Sequence, residues 1–231
     1  MLKNYIQQKQ HQIAEKQNNF YTSSGINIFL KEPVDNIDIG NVISKIEERM
    51  PAHLISEIEM IIFGWFDEFE ERSINAFYQD GAIYVSNIQD DEQDLLNDIV
   101  HEMAHSIETK YGYEIYSDEK IKDEFSRKRQ HLHDITWKMG YKIPSVLFKD
   151  TEYNEDFDKL LYQKIGYDNL IQPMTGLFIN PYAATSLREY FATAFTDFYL
   201  NSDHKFLSKV SPQVYEKILM LHSKESLDNS Y

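Results

Sequence analysis

His101, Glu102 and His105 stand together in the stretch DIVHEMAHSIE, residues 98–108. On a helix, two imidazoles four residues apart leave the same face, because four steps of about 100° return to within about 40° of the start. Both can therefore reach one ion. Glu102 follows the first histidine directly and can face a water on that ion without serving as a ligand. This is the H-E-x-x-H logic of zinc hydrolysis: neutral imidazoles hold Zn2+, the ion brings its water to a pKa of about 7, and the glutamate takes the proton. The plain alternative is a solvated helix face carrying two unliganded histidines.

A catalytic zinc needs a third protein ligand and an open position. The longer signature with a third histidine is absent, since position 108 is Glu and 111 is Tyr. The ligand must come from later in the chain. The best candidate is Glu189 in NPYAATSLREYFATAFTDFYL, 180–200, where Phe191, Ala192, Phe195 and Phe198 give the helix an apolar face to pack with. Glu114, Glu119 and Glu124 are the other candidates. Ser186-Leu187-Arg188-Glu189 also reads as a capping box, in which Glu189 would only bond the backbone at 186.

HEMAH followed by REYFATAF resembles the catalytic domain of anthrax lethal factor and the related Pro-Pro endopeptidases. The resemblance covers roughly residues 75–200. It implies a zincin-like, gluzincin-type domain in which Glu189, standing before Tyr190, Phe191 and Ala192, is the third zinc ligand. It also implies that Tyr182, seven residues upstream (189 − 7 = 182), points its hydroxyl at the substrate carbonyl. A phenol donor there would stabilise the developing oxyanion. The peptide would lie antiparallel to an edge strand above the site helix, with GAIYVS, 81–86, as the expected strand. Two features depart from the pattern. His105 and Glu189 are 84 positions apart (189 − 105), which points to an insertion within 113–180. The family often places a supporting carboxylate four residues after the ligand Glu, but 193 is Thr. Asp98, one turn before His101, and Asp197 are the candidates to replace it.

The elements that must position these residues follow from the pattern of apolar residues. Residues 2–18 are Gln- and Lys-rich with thin apolar spacing and suit a surface or partner-binding helix. INIFLKE, 26–32, alternates like a strand, and EMIIFGWF, 59–66, reads as another. Ile39, Val42, Ile43 and Ile46 give 37–50 a helical face, and Pro51 ends it or starts another turn. In 74–87, Asp80-Gly81 between two aromatic and β-branched runs is a strong hairpin signal. Residues 91–110 form the site helix, with Asp90 as cap and Lys110 and Gly112 at its end. Beyond 112 helices are expected over 117–139, 155–165, 186–200 and 211–224.

The fold class expected is α+β, with a small mixed sheet first and a mainly helical second half. The expected organisation is a single metallopeptidase-like domain: an N-terminal helix (1–20), an α/β part with the site helix (21–112), a helical insertion (113–180) and a helical part with the third ligand (181–231).

Composition narrows the function. The chain of 231 residues has no cysteine, so disulfides and thiol catalysis are excluded and any metal must be held by His and carboxylate. The formal net charge of −15 repels phosphate backbones and argues against nucleic acid as a partner. No apolar run approaches the roughly 20 residues that span a bilayer. The N-terminus lacks an apolar signal core, so the expected location is cytoplasmic, with signal-independent export or inclusion in a particle left open. His131 and His133 point apart on a helix, and His11, His53, His204 and His222 are isolated.

The function expected is a zinc-dependent endopeptidase acting on a peptide or protein. His101, His105 and Glu189 hold Zn2+, Glu102 is the general base and Tyr182 the oxyanion donor. The competing expectation is a metal-stabilised structural or binding component of a larger assembly, joined through its N-terminal helix, with a latent or vestigial site.

Overall fold

A computed structural model describes residues 18–72 and 74–224. The expected N-terminal helix (1–20) therefore lies outside the described residues up to 17, and its last two positions, Asn19 and Phe20, belong instead to the first strand of the sheet. The chain divides into two compact units, Met1–Ser106 and Ile107–Tyr231. The class is α+β: a small mixed sheet comes first and helices dominate afterwards.

In the first unit the described residues form a five-stranded sheet in the order β1-β2-β3-β5-β4. The strands are β1 (Asn19–Tyr21), β2 (Asn27–Leu30), β3 (Met60–Phe63), β4 (Ala76–Gln79) and β5 (Ala82–Val85). β2, β3 and β5 run parallel, while β1 and β4 are antiparallel to their neighbours. Parallel neighbours need a crossover, usually a helix. α1 (Ile39–Arg49) and α2 (Ala52–Ile55) make the crossover from β2 to β3. Asp38 caps α1 by accepting the Asn41 amide at 3.0 Å, and Ile39, Val42, Ile43 and Ile46 are its buried face, as their spacing requires. α3 (Asp67–Arg72) lies between β3 and β4. The hairpin turn has φ of 49° at Asp80 and 84° at Gly81. Positive φ at both central residues fits the turn twist that matches paired strands.

The sheet corrects one expectation. β5, the core of GAIYVS, is an interior strand, bonded to β3 on one side and β4 on the other. The edge is β4. Alternation marks the buried face of a strand, and Ile83 and Val85 are indeed buried. It carries no information about lateral neighbours, which the parallel pairing with β3 decides.

α4 (Glu92–Tyr116) is the site helix, and the boundary between the units falls within it. Its cap is Asp91 rather than Asp90: the Asp91 carboxylate accepts the amides of Gln93 at 2.8 Å and Asp94 at 2.9 Å. It also runs past Gly112, one turn beyond its expected end. Gly112 keeps helical φ, and Ile115 is fully buried, so packing outweighs the weak helix propensity of glycine.

The second unit continues with α5 (Lys120–Lys138), stopped by Gly140 at φ 98°. A 3-10 turn (Ser145–Phe148), α6 (Glu155–Lys159), a π-helical stretch (Leu160–Gly166) and α7 (Tyr167–Ile171) follow. The expected helix at 155–165 is thus a short α-helix that widens into a π turn. After a 3-10 turn at Tyr182–Ala184 come α8 (Leu187–Leu200), α9 (Lys205–Val210) and α10 (Pro212–Ser223). The core of this unit is aromatic, with Phe125, Phe148, Phe157, Phe178, Tyr190, Phe191 and Phe195 all buried. Phe125, Phe178 and Tyr190 meet one another at centroid distances of 5.5–6.1 Å. Among the described residues no helix is long and apolar enough to cross a membrane.

Candidate metal centre

α4 buries Leu95, Leu96, Ile99, Val100, Met103, Ala104 and Ile107. Burial of this stripe fixes the rotation of the helix and so the direction in which its polar face looks. His101 and His105 leave that face half-buried, with ring centroids 5.1 Å apart. Among the described residues, the group able to hold a metal ion is His101, Glu102 and His105, each offering one ligand atom within 4.8 Å of the others. Two imidazoles so close together are ligands of the kind zinc takes.

Glu102 is buried, and a buried carboxylate needs donors. One comes from the sheet: the Tyr78 amide donates to Glu102 Oε2 at 2.8 Å. In the two-residue hairpin the closing pair Gln79/Ala82 exchanges both bonds, so Phe77/Tyr84 does too. Tyr78 therefore turns its N–H away from β5, toward the outer side of β4, where the Glu102 carboxylate meets it. The sequence held no sign of this bond, because its two partners are 24 positions apart on unlike elements.

Asp98 sits one turn before His101. Burial pushes its carboxyl up to about 7, and the charges of Asp94 and Glu102 add to the rise. A hydrogen bond from Gln89 and the charge of His101 act in the opposite sense. A carboxyl so placed gains from any cation bound at His101.

Tyr182 and Glu189 belong to the second unit. The sequence NPYAATS closes tightly on itself there. Asn180 Oδ1 accepts the Ala183 amide at 2.9 Å, and Thr185 donates both its amide and its hydroxyl to the Tyr182 carbonyl, at 3.0 and 2.8 Å. Tyr182 thus begins a 3-10 turn and is half-buried. Ser186 caps α8 by accepting the Glu189 amide at 3.1 Å. That bond uses the backbone of Glu189 rather than its carboxylate, so it is compatible with either role for the side chain. Glu189 itself is half-buried in the first turn.

Arg188, which precedes Glu189, was not singled out from the sequence. Its Nε donates to Glu108 Oε2 at 2.9 Å, and the Tyr116 hydroxyl donates to the other oxygen of Glu108. Burial and the adjacent Glu108 charge push the Tyr116 phenol well above its ordinary range. The Glu108 charge also holds Arg188 above its ordinary value, although burial pulls the other way. This network joins the last part of α4 to the first turn of α8.

The alternative carboxylates have other partners in the second unit. Glu114 takes Lys224 at 2.8 Å, Glu119 pairs with Lys122 at 3.3 Å, and buried Glu124 accepts the Tyr190 hydroxyl at 2.7 Å and the Gln213 amide at 3.2 Å. Thr193, where the resemblance leads one to look for a carboxylate, is buried with no hydrogen-bond partner for its hydroxyl among the described residues. Asp197 accepts from Asn201 at 2.6 Å, at the far end of α8. His133 is within hydrogen-bond reach of the Ile143 carbonyl, His204 stacks on Phe198, and His222 meets the Tyr199 hydroxyl at 3.1 Å. These three histidines are packing residues.

No family model matches the chain, and no curated protein or solved structure matches it either.

Proposed function

We propose that the chain is a zinc-dependent endopeptidase of zincin type. The observation that carries this reading is the convergence of His101, Glu102 and His105 on one helical face, with Glu102 bonded to an edge-strand amide. A purely structural zinc needs no unliganded carboxylate held in that position. His101, His105 and Glu189 would hold the ion. When bound, zinc supplies the Lewis acid that acidifies water and polarises the peptide carbonyl.

The chain's own residues do the rest. The peptide adds as a further strand along the edge of β4, through the outward backbone groups that Glu102 leaves unoccupied there, which replaces the assignment to β5. Because Glu102 reaches the Tyr78 amide on that same edge, the base sits beside the bound backbone. With Oε2 engaged by Tyr78, Oε1 takes the proton of the attacking water and later delivers it to the leaving amine. Tyr182 donates a hydrogen bond to the carbonyl oxygen as charge develops on it. The Glu108–Arg188 bond fastens the residue before Glu189 to the last part of α4.

The test is zinc content together with hydrolysis of a peptide library by wild type, Glu102→Gln and Tyr182→Phe. Wild type binds zinc and cleaves. Glu102→Gln keeps zinc and loses about 10²–10⁴-fold in kcat, the range for a general base. Tyr182→Phe loses about 10²–10³-fold, as for removal of an oxyanion donor. Purified wild type without zinc and without cleavage refutes the enzyme; full activity in Glu102→Gln refutes the mechanism.

A further inference from the structure

One charged side chain lies deep in the second unit and takes no part in the chemistry above. Arg129, on α5, is 1% exposed and heads the fully buried side chains by size. It has no ion-pair partner among the described residues, and Asp150 acts on it only as a more distant charge. Burial draws its pKa down to about 10, so it is still a cation at neutral pH. Its Nη1 donates to the carbonyls of Ala184 at 2.7 Å and Thr185 at 3.1 Å, and its Nη2 donates to that of Leu147 at 2.7 Å. The guanidinium lies on the Phe157 ring, 3.8 Å from its centroid. Its Nε is buried without a hydrogen-bond partner among the described residues.

Filling this space does not require a charge. Apolar replacements of buried ions are often neutral or stabilising, so the cation is a poor device for stability alone. What it does provide is direction. A planar fork can hold two adjacent carbonyls on one nitrogen and a third, on another segment, through the other nitrogen. Ala184 and Thr185 follow Tyr182 and directly precede Ser186, the cap of α8. The segment so fixed starts at the oxyanion donor and ends in the helical turn bearing the third ligand. A neighbouring backbone bond works the same way, with the Leu187 amide donating to the Thr151 carbonyl at 2.8 Å.

We infer that Arg129 is a positioning residue for the segment from Tyr182 to Glu189, setting the angle at which both side chains leave it. Its catalytic consequence rests on the proposed peptidase reading, while its structural content does not. An ammonium cannot reproduce the fork, so Arg129→Lys keeps the charge and loses the geometry.

Two measurements test this. In metal-free protein, amide hydrogen exchange over 182–189 is expected to be at least tenfold faster in Arg129→Lys than in wild type, with exchange in α10 unchanged. In the zinc-loaded enzyme, Arg129→Lys is expected to bind zinc at least tenfold more weakly. Its kcat falls at least tenfold even at saturating zinc, with KM within about threefold. Leu132→Ala, which removes a buried side chain from the same helix without touching these carbonyls, controls for lost stability. It is expected to keep wild-type zinc affinity and kcat. If Arg129→Lys does not fold, Phe157→Leu, which removes the ring beneath the guanidinium, is measured the same way, with a smaller rise in exchange expected.

Wild-type exchange over 182–189 in the folded variant overturns the inference, as do losses in Leu132→Ala that equal those in Arg129→Lys. Failure of the peptidase reading shows differently, as a wild type without zinc or cleavage. The exchange result then decides the role of Arg129 by itself.

Discussion

Two imidazoles and a carboxylate need only five consecutive residues to meet, because a helix turn brings them to one face. His101, Glu102 and His105 were legible for that reason. The bonds that hold them are not local. The Tyr78 amide reaches Glu102 across 24 positions, Arg188 reaches Glu108 across 80, and Arg129 reaches Ala184 across 55. No pattern in the sequence announces such pairs. Asp98 lies between the two cases. Its position one turn before His101 was visible, but the burial that lifts its carboxyl to about 7 was not. A carboxyl whose folded pKa stands above its unfolded value favours folding while protonated. That contribution is complete below about pH 4 and is lost as the pH rises through 7. Asp98→Asn is therefore expected to make the metal-free protein more stable than wild type at pH 8. It is also expected to weaken zinc about 10–100-fold, the usual cost of removing a carboxylate that supports a ligand. Thermal unfolding without metal and chelator competition read the two effects separately.

At the scale of elements, most segments followed from periodicity, capping and turn chemistry. Asp80-Gly81 made the hairpin, and Gly140 stopped α5. The errors came where packing or pairing overrides local preference: α4 passes Gly112 because Ile115 is buried, and β4 rather than β5 is the edge. One tie between elements gives a clean pH test. Glu47 on α1 accepts the hydroxyls of Ser23 and Ser24 and the Ser24 amide, in the turn between β1 and β2. Burial raises its pKa, but these bonds together outweigh it and leave the carboxyl at about 2. A depressed acid stabilises the fold fully above its unfolded value of 4.5, and the contribution is lost as the pH falls from there toward 2. Glu47→Gln is expected to be less stable than wild type at pH 7. The gap closes between pH 4.5 and 2 in denaturant titrations. A gap independent of pH would show that the carboxylate charge plays no part in that tie.

For the whole molecule, ten of the thirteen buried aromatic side chains among the described residues lie in the helical unit. Zinc that binds only the folded chain must raise its stability. At free zinc 100-fold above Kd the gain is about 2.7 kcal/mol. For a chain of this size that is roughly 5–10 °C in Tm. Chelator is expected to reverse the shift, His101→Ala to abolish it and Glu189→Ala to reduce it, while Glu102→Gln keeps it. Differential scanning calorimetry with buffered zinc reads all four. The sequence by itself determined the class of the fold, most helix and strand positions, and the meeting of His101, Glu102 and His105 on one helix. Each of these depends on neighbours within a turn or a hairpin. Only the tertiary structure decided which strands are the edges, what holds the Glu102 carboxylate, and which carbonyls the buried Arg129 guanidinium meets. Each of those depends on groups dozens of positions apart, brought together because buried amides, carbonyls and charges must find partners once water is excluded.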